Sequence, residues 1–321
     1  MQILEKKHAV AGGTLLRKKQ NLQSKESKHM NIQQERQKSP GQTPKQAQVN
    51  QQEKLTTKEH VHPVSAHVSE NKKTLEEMFG NSADIKMREM VLGHDQVRCL
   101  AAYIEITAGS LAFEHSLVGR LLNDLAHLPA RQIYQSLAQN GQGLCDVTPF
   151  ENMEDAVQFG MLTGDVVLFI DGFQSALKIP DKGYPGRGVY ETESEKVIRG
   201  SNEGFSESIK LNTALIRKRL RSPHVKVKET FVGKRTQTNV DLVYLKDLIH
   251  PGMLEEIEKR LGEFEIDGAL DSGIIEQLTE KRKYSPFPQF QTTQRPDRAA
   301  MAILEGRIVL LSDNSPVALI L

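Results

Sequence analysis

Two glycines, Gly200 and Gly204, lead into a helical run in "VIRGSNEGFSESIKLNTALIRKRLRSP" (residues 197–223), whose far end carries Arg217, Lys218, Arg219 and Arg221. Glycines at the start of a helix can present backbone amides to a phosphate. Here no Lys-Ser/Thr follows the G-x-x-x-G, no Walker A pattern occurs, and Gly186-Arg187-Gly188 is no more specific. The same residues also read as a join between two folded units. Glycine supplies unusual dihedrals, and Ser206 is placed to cap the first helical amides. Glu203 and Glu207 near the start, with Arg217, Lys218 and Arg219 near the end, suit the helix dipole. Phe205, Ile209, Ile216 and Leu220 recur at helical spacing and make an apolar stripe for docking. The site expected from sequence is therefore an inter-subdomain join or partner contact. It comprises Arg187, Glu193, Glu195, Arg199, Gly200, Glu203, Gly204, Phe205, Glu207, Pro296 and Arg298, with Arg298 pairing with Glu193 or Glu195.

Other chemistry-bearing residues point away from catalysis. His60-x-His62, with His67 beyond, is a tight histidine cluster, but it sits where the sequence offers no fixed scaffold for a metal. Cys99 alternates along a strand with Val97, Ala101 and Tyr103, as a buried, inert thiol does. Cys99 and Cys145 form no CxxC, which argues for a reducing compartment and against a disulfide framework. Glu76-Glu77 and Glu255-Glu256 read as solvated helix faces. No HExxH, GxSxG or ordered Ser/His/Asp set occurs. The expectation is no catalytic residue, no metal and no cofactor.

The first seventy of the 321 residues differ in kind from the rest. They contain no Phe, Tyr or Trp, repeat Gln, Lys and Ser, and hold twelve Lys+Arg against six Glu and no Asp, a net charge of +6. The remaining residues carry thirty basic and thirty-five acidic side chains. Such a tail buries too little apolar surface to offset about 1–2 kcal/mol of backbone entropy per residue, so residues 1–70 are expected to be disordered. Without stacking aromatics or a dense basic block, nucleic acid is not an expected partner. Neither a signal peptide nor a run of eighteen apolar residues is present, so this stretch is expected to be a soluble piece.

The body repeats itself. "DIKMREMVLG" (84–93) lies over "HVKVKETFVG" (224–233), Tyr103 over Tyr244, and "GDVVLFIDGFQSALKI" (164–179) over "GRIVLLSDNSPVALIL" (306–321), with six of sixteen identities in the last pair. A nearly constant offset across three segments indicates one unit used twice. In each copy two strands are expected at 84–92 and 97–105, or 225–232 and 238–246. Helices follow in "SLAFEHSLVGRLLNDL", "PARQIYQSLAQ" and "ENMEDAVQFGML", or in "PGMLEEIEKRLGEF", "DSGIIEQLTEK" and "RPDRAAMAIL". Pro251 is placed in a first helical turn. A closing hairpin turns at Asp171-Gly172 or Asp313-Asn314, and its apolar strands read as covered on both faces. The expected fold is mixed α/β. Two similar small subdomains, residues 71–182 and 205–321, are joined by a Pro/Gly/Glu-rich linker at 183–204.

The segment "RGVYETESEKVIRGSNEGFSESIKLNTALIRKRLRSPHVKVKE" resembles the hallmark segment of the A subunit of bacterial spore germinant receptors, the GerA family. The resemblance runs from about residue 75 to 321 through "VYLKDLIHP", "IDGALDSGIIEQLTE", "YSPFPQFQTTQRPD" and "ILEGRIVLLSDNSPVALIL". Thr192, Ser201 and Tyr184 depart from it, standing where the family has Pro, Pro and Trp. The resemblance implies a cytosolic N-terminal region at the spore inner membrane. A membrane domain would follow it, and its partners would be a transporter-like B subunit, a lipoprotein C subunit and other A subunits. It implies a part in nutrient sensing and in the signal that triggers ion release and germination. A second reading is a binding domain that holds a small-molecule germinant between its two lobes.

Overall fold

The computed structural model describes residues 62–105, 123–140, 146–180, 195, 199–263, 265–282 and 285–321. They form two lobes of one topology. The first contains α1 (Val68–Phe79), β1 (Ile85–Leu92), β2 (Val97–Ile104), α2 (Ala130–Asn140), β3 (Thr148–Phe150), α3 (Met153–Phe159), β4 (Val166–Ile170) and β5 (Ala176–Ile179). The second contains α4 (Ile209–Arg219), β6 (Val225–Val232), β7 (Thr238–Leu245), α5 (Met253–Gly262), α6 (Ser272–Thr279), β8 (Gln291–Thr293), α7 (Pro296–Leu304), β9 (Val309–Ser312) and β10 (Ala318–Ile320). Each lobe has one antiparallel sheet, ordered β1-β2-β4-β5-β3 in the first and β6-β7-β9-β10-β8 in the second. The duplication expected from the repeat is therefore present in strand order as well as in sequence.

Helices cover both faces of each sheet. In the first lobe, Leu75 and Phe79 of α1 join Ala156 and Val157 of α3 on one face, while Ile133 and Leu137 of α2 lie on the other. In the second, Ile209 and Ile216 of α4 meet Ala299 and Ile303 of α7, with Ile257 and Ile275 of α5 and α6 opposite. This sandwiching is why β4 and β9 are buried at every position. The repeated glycine of the first hairpin has a steric reason. Gly93 and Gly233 have φ of 71° and 91°, and a Cβ would lie 2.6 Å from the Leu128 carbonyl oxygen in one and 2.4 Å from Thr236 Oγ1 in the other.

Several expectations need correction. The packed body begins before residue 71: Val64 and Val68 are buried in the first core, and α1 starts at Val68. The repeat reaches further back than the sequence reading carried it, because α1 and α4 are equivalent. Asn71 accepts from the Ser65 amide at 2.8 Å and donates to the Ser65 carbonyl at 2.7 Å, and Asn212 does the same with Ser206. Ser206 is not the helix cap. The first amides of α1 and α4 donate instead to the hairpin-turn carboxylates Asp171 (2.9 Å) and Asp313 (3.2 Å). Pro251 lies before α5, which begins after Gly252. Edge strands β3 and β8 were not anticipated; each is three residues long, and Pro149 sits in one of them. Residues 1–61, 106–122 and 181–194, with Cys145, lie outside the described residues.

Starting the chain at residue 71 removes Val64, Val68 and the Ser65–Asn71 clasp, whereas starting at 62 keeps them. The shorter form is expected to be less stable by about 3 kcal/mol or more, from two buried valines alone. Circular dichroism melts of the two forms check this; the chain has no tryptophan to follow. Phe205, 3% exposed in the second core, is expected to cost about 3–5 kcal/mol on replacement by Ala.

Candidate functional site at the lobe junction

Helix α4 carries the contact between the lobes. Arg217, in the last turn of α4, is 1% exposed and is among the largest fully buried side chains. It does not serve as a solvated charge complementing a helix end. Its Nε donates to Asp84 Oδ2 at 2.6 Å and its Nη2 to Asp84 Oδ1 at 2.9 Å. Nη2 also donates to Ser82 Oγ (3.0 Å), and Nη1 to the Ser222 carbonyl (3.3 Å). The fork geometry of guanidinium on carboxylate accounts for Arg at this position. Ser82 and Asp84 precede β1, so the bond crosses from second lobe to first.

Backbone and lysine contacts extend the junction. The Ala83 amide donates to the Val227 carbonyl at 2.9 Å, and the Val227 amide to Ser82 Oγ at 3.0 Å. Lys226 Nζ donates to the carbonyls of Phe79 (2.5 Å), Met78 (3.0 Å) and Pro223 (3.0 Å), capping the end of α1. Burial, followed by the facing Arg217 and Lys246 charges, pulls this ammonium down to about 8. At the rim, Glu105 of the first lobe accepts from Lys210 of α4 at 3.1 Å and lies 3.5 Å from Lys86.

Between these contacts lies a cleft of about 150 Å³. The first lobe lines it with Ala83, Asp84, Lys86 and Glu105, and the second with Lys210, Thr213, Val227, Glu229, Asn239 and Asp241. Asp241 is 7% exposed and sits mid-strand in β7. Thr213 Oγ1 is 2.8 Å from its Oδ2. Burial pushes this carboxyl up to about 7, helped by Glu229 and Asp84 and opposed by the Thr213 bond and Lys210.

The residues singled out from sequence lie elsewhere, along the entry to the second lobe. Arg298 is 3.0 Å from Glu195, which also accepts from Thr293 Oγ1 (2.8 Å) and the Gln294 amide (3.3 Å), tying residue 195 to the start of α7. Pro296 is the buried first residue of α7. Glu203 accepts from Lys218 (2.7 Å) and Arg219 (2.6 Å); burial raises its carboxyl, but these two bonds hold it below the usual range. The Phe205 amide donates to the Gln294 carbonyl at 2.8 Å, and the Glu207 carbonyl accepts from Asn314. Arg199 and Gly200 are exposed, and Gly200 has φ 146°; Gly204 is buried without positive φ. None of these residues lines the cleft, and Arg187 and Glu193 lie outside the described residues. His62 pairs with Glu154 at 2.7 Å, and no cluster fit for a metal occurs among the described residues. Cys99 is buried, and burial pushes its thiol up to about 12.

The junction residues were missed because the repeat was read for its matches. Its mismatches mark them: Arg217 stands where the first copy has Glu76, and Asp241 where it has Leu100. Asp84 itself aligns with His224.

Comparison with known proteins identifies the family. Residues 73–321 match the Bacillus/Clostridium GerA spore germination protein family. The chain belongs to the GerA family. It is 34% identical over 258 residues to the "Uncharacterized membrane protein YfkQ" of Bacillus subtilis (strain 168), covering 80% of this chain and 49% of that protein. It is 31% identical over 249 residues to "Spore germination protein GerLA" of Bacillus cereus, covering 77% of this chain and 50% of that one. This GerA-family chain thus spans about half the length of these relatives. The crystal structure of the N-terminal domain of the A subunit of the Bacillus megaterium spore germinant receptor GerK3 aligns with TM-score 0.61 and 29% identity, over 82% of this chain and 97% of that one. No helix of the described residues is long and apolar enough to cross a membrane.

Breaking the buried pair with Arg217→Ala is expected to cost about 3–5 kcal/mol, since it strands the Asp84 carboxylate. The apolar double variant Arg217→Met/Asp84→Leu is expected to recover most of that loss in urea unfolding followed by circular dichroism. Asp241 predicts a pH slope as well. Its proton leaves the unfolded chain near the ordinary 3.8 and the folded chain near 7. Its contribution is therefore full below 3.8, declines as pH rises, and is gone above about 7. Asp241→Asn is expected to flatten that part of the stability profile.

Proposed function

We propose that residues 62–321 act as the N-terminal module of a germinant receptor A subunit, taking part in nutrient sensing, receptor assembly and transmission of the signal that triggers germination. The family match and the likeness to the GerK3 domain support the receptor assignment. The observation that carries transmission is the buried Arg217–Asp84 pair. It ties two separately cored lobes at one defined geometry, the kind of contact through which a shift in one body is felt by the other. On this reading the partners are a transporter-like B subunit, a lipoprotein C subunit and other A subunits. The module lies on the cytosolic side of the spore inner membrane, carried by a membrane portion in the half of the relatives' length that this chain does not span.

A second reading, a small germinant held between the lobes, has its own observation: the polar cleft of about 150 Å³ that both lobes line. A thermal-shift series with amino acids, sugars and nucleotides separates the two. A ligand at a hundredfold excess over its Kd stabilises the fold by about 2.7 kcal/mol, and a flat series favours the transmission reading.

Spores carrying Arg217→Met/Asp84→Leu test the first reading. The expected outcome is normal protein level with a germination response to nutrient reduced by about tenfold or more, since the fold survives and the charge-fixed geometry does not. A normal response in those spores overturns it.

A further inference from the structure

We propose that Asp241 is a proton-controlled latch: as a neutral acid it keeps the two lobes closed, and its ionisation loosens the junction. The Thr213 hydroxyl has one proton and two oxygens within reach of it. Thr213 Oγ1 lies 3.1 Å from the Ile209 carbonyl oxygen and 2.8 Å from Asp241 Oδ2. A carbonyl can only accept, and a hydroxyl has one proton to give. When Thr213 donates to Ile209, the second contact is a hydrogen bond only if Asp241 is protonated and donates to the hydroxyl oxygen. The neutral acid satisfies both contacts at once. The carboxylate takes the Thr213 proton for itself and leaves the Ile209 carbonyl, in the first turn of α4, without it.

The surroundings weight the same choice. Asp241 shares the cleft with Glu229 on β6, Lys210 on α4, and Asp84, Glu105 and Lys86 of the first lobe. Its neighbour across β9 is Leu311, which carries no charge. Among the described residues no lysine or arginine forms an ion pair with Asp241, because the nearby cations are committed elsewhere. Arg217 is held by Asp84, and Lys210 and Lys86 by Glu105. An ionised Asp241 thus sits beside Glu229 and Asp84, and the cation that favours its charge is Lys210, already bonded to Glu105. Drawing Lys210 inward removes it from Glu105, and the Lys210–Glu105 bond is one of those that cross between lobes. Water drawn to the new charge enters the cleft that both lobes line and competes for the groups that bond across it. The position is specific to the junction, since the equivalent Leu100 is a core residue of the first lobe.

Two amides read the latch directly: Ala83 donates across the junction to Val227, and Val227 donates to Ser82. The test is hydrogen exchange of the full chain between about pH 5.5 and 8.5, corrected for the intrinsic rate, in the wild type and in Asp241→Asn. The asparagine amide can donate to Thr213 as the neutral acid does. Expected is a fall of about tenfold or more in protection of Ala83 and Val227 as pH rises, with Val167 in the first core unchanged. The midpoint is expected at about 7. The Asn variant is expected to keep both amides protected throughout. Constant protection in the wild type, or the same fall in the variant, overturns the proposal. Should the variant not fold, the carbon-13 shift of the Asp241 carboxyl in wild type decides: its titration midpoint either coincides with the amide transition, as expected, or does not, which overturns the latch. The proposal rests on the junction being the working part of the module, yet this measurement needs no spores, so its failure is distinct from failure of the germination test.

Discussion

A guanidinium withdrawn from water costs several kcal/mol unless hydrogen-bond partners surround it, and Arg217 imposes that requirement on the junction of the two lobes. Meeting it takes a carboxylate at the start of β1, a hydroxyl two residues earlier and the carbonyl of Ser222, all at fixed positions. Those positions hold only if α4 ends where it does. That in turn depends on Asp313 binding its first amide and on Phe205, Ile209 and Ile216 seating it on the second sheet. The turn that closes one hairpin, the helix packed above it and the strand of the neighbouring lobe are thereby set by one another.

Duplication supplied the framework, and divergence at a few aligned positions supplied the junction. Lys86 and Lys226 are equivalent residues with different surroundings. The first is half-exposed and lies near Glu105, whereas the second is buried and donates to three carbonyls. Lys72 of α1 bonds Glu89 at the surface, while its counterpart Thr213 bonds the buried Asp241. A contact that joins the front of one copy to the back of the other cannot be symmetric, so equivalent residues there meet unlike partners.

Most of the architecture was legible because strands and helices write their periods into the chain. β1, β2, β6 and β7 fall within a residue of their expected limits, and the paired turns carry positive φ at Gly172 and Asn314. Of α1 only the solvated face at Glu76-Glu77 was legible; its start was not, because "VSENKKTLEEMF" is polar and only four of its residues turn inward. Matching Val64, Ser65, Val68 and Asn71 to Phe205, Ser206, Ile209 and Asn212 would have found it. The junction was less legible still. Nothing about Arg217 distinguishes it locally from Lys218 and Arg219, which pair with Glu203 nearer the surface. Burial of one basic residue among these three is decided by a partner 133 residues away.

The junction also limits how many times this unit can be strung together. A front-to-back contact is open-ended: in principle the back of a third copy could meet the front of the first, and so on into a filament. The two outward-facing ends here lack the matching charges. At the place of Arg217 the first lobe has Glu76, and at the place of Asp84 the second has His224. An added copy would find neither a guanidinium to receive nor a carboxylate to offer. Between the two described lobes the pair is made once, and the two residues that the repeat failed to copy, Glu76 and His224, are what keep it from being made in the same way again.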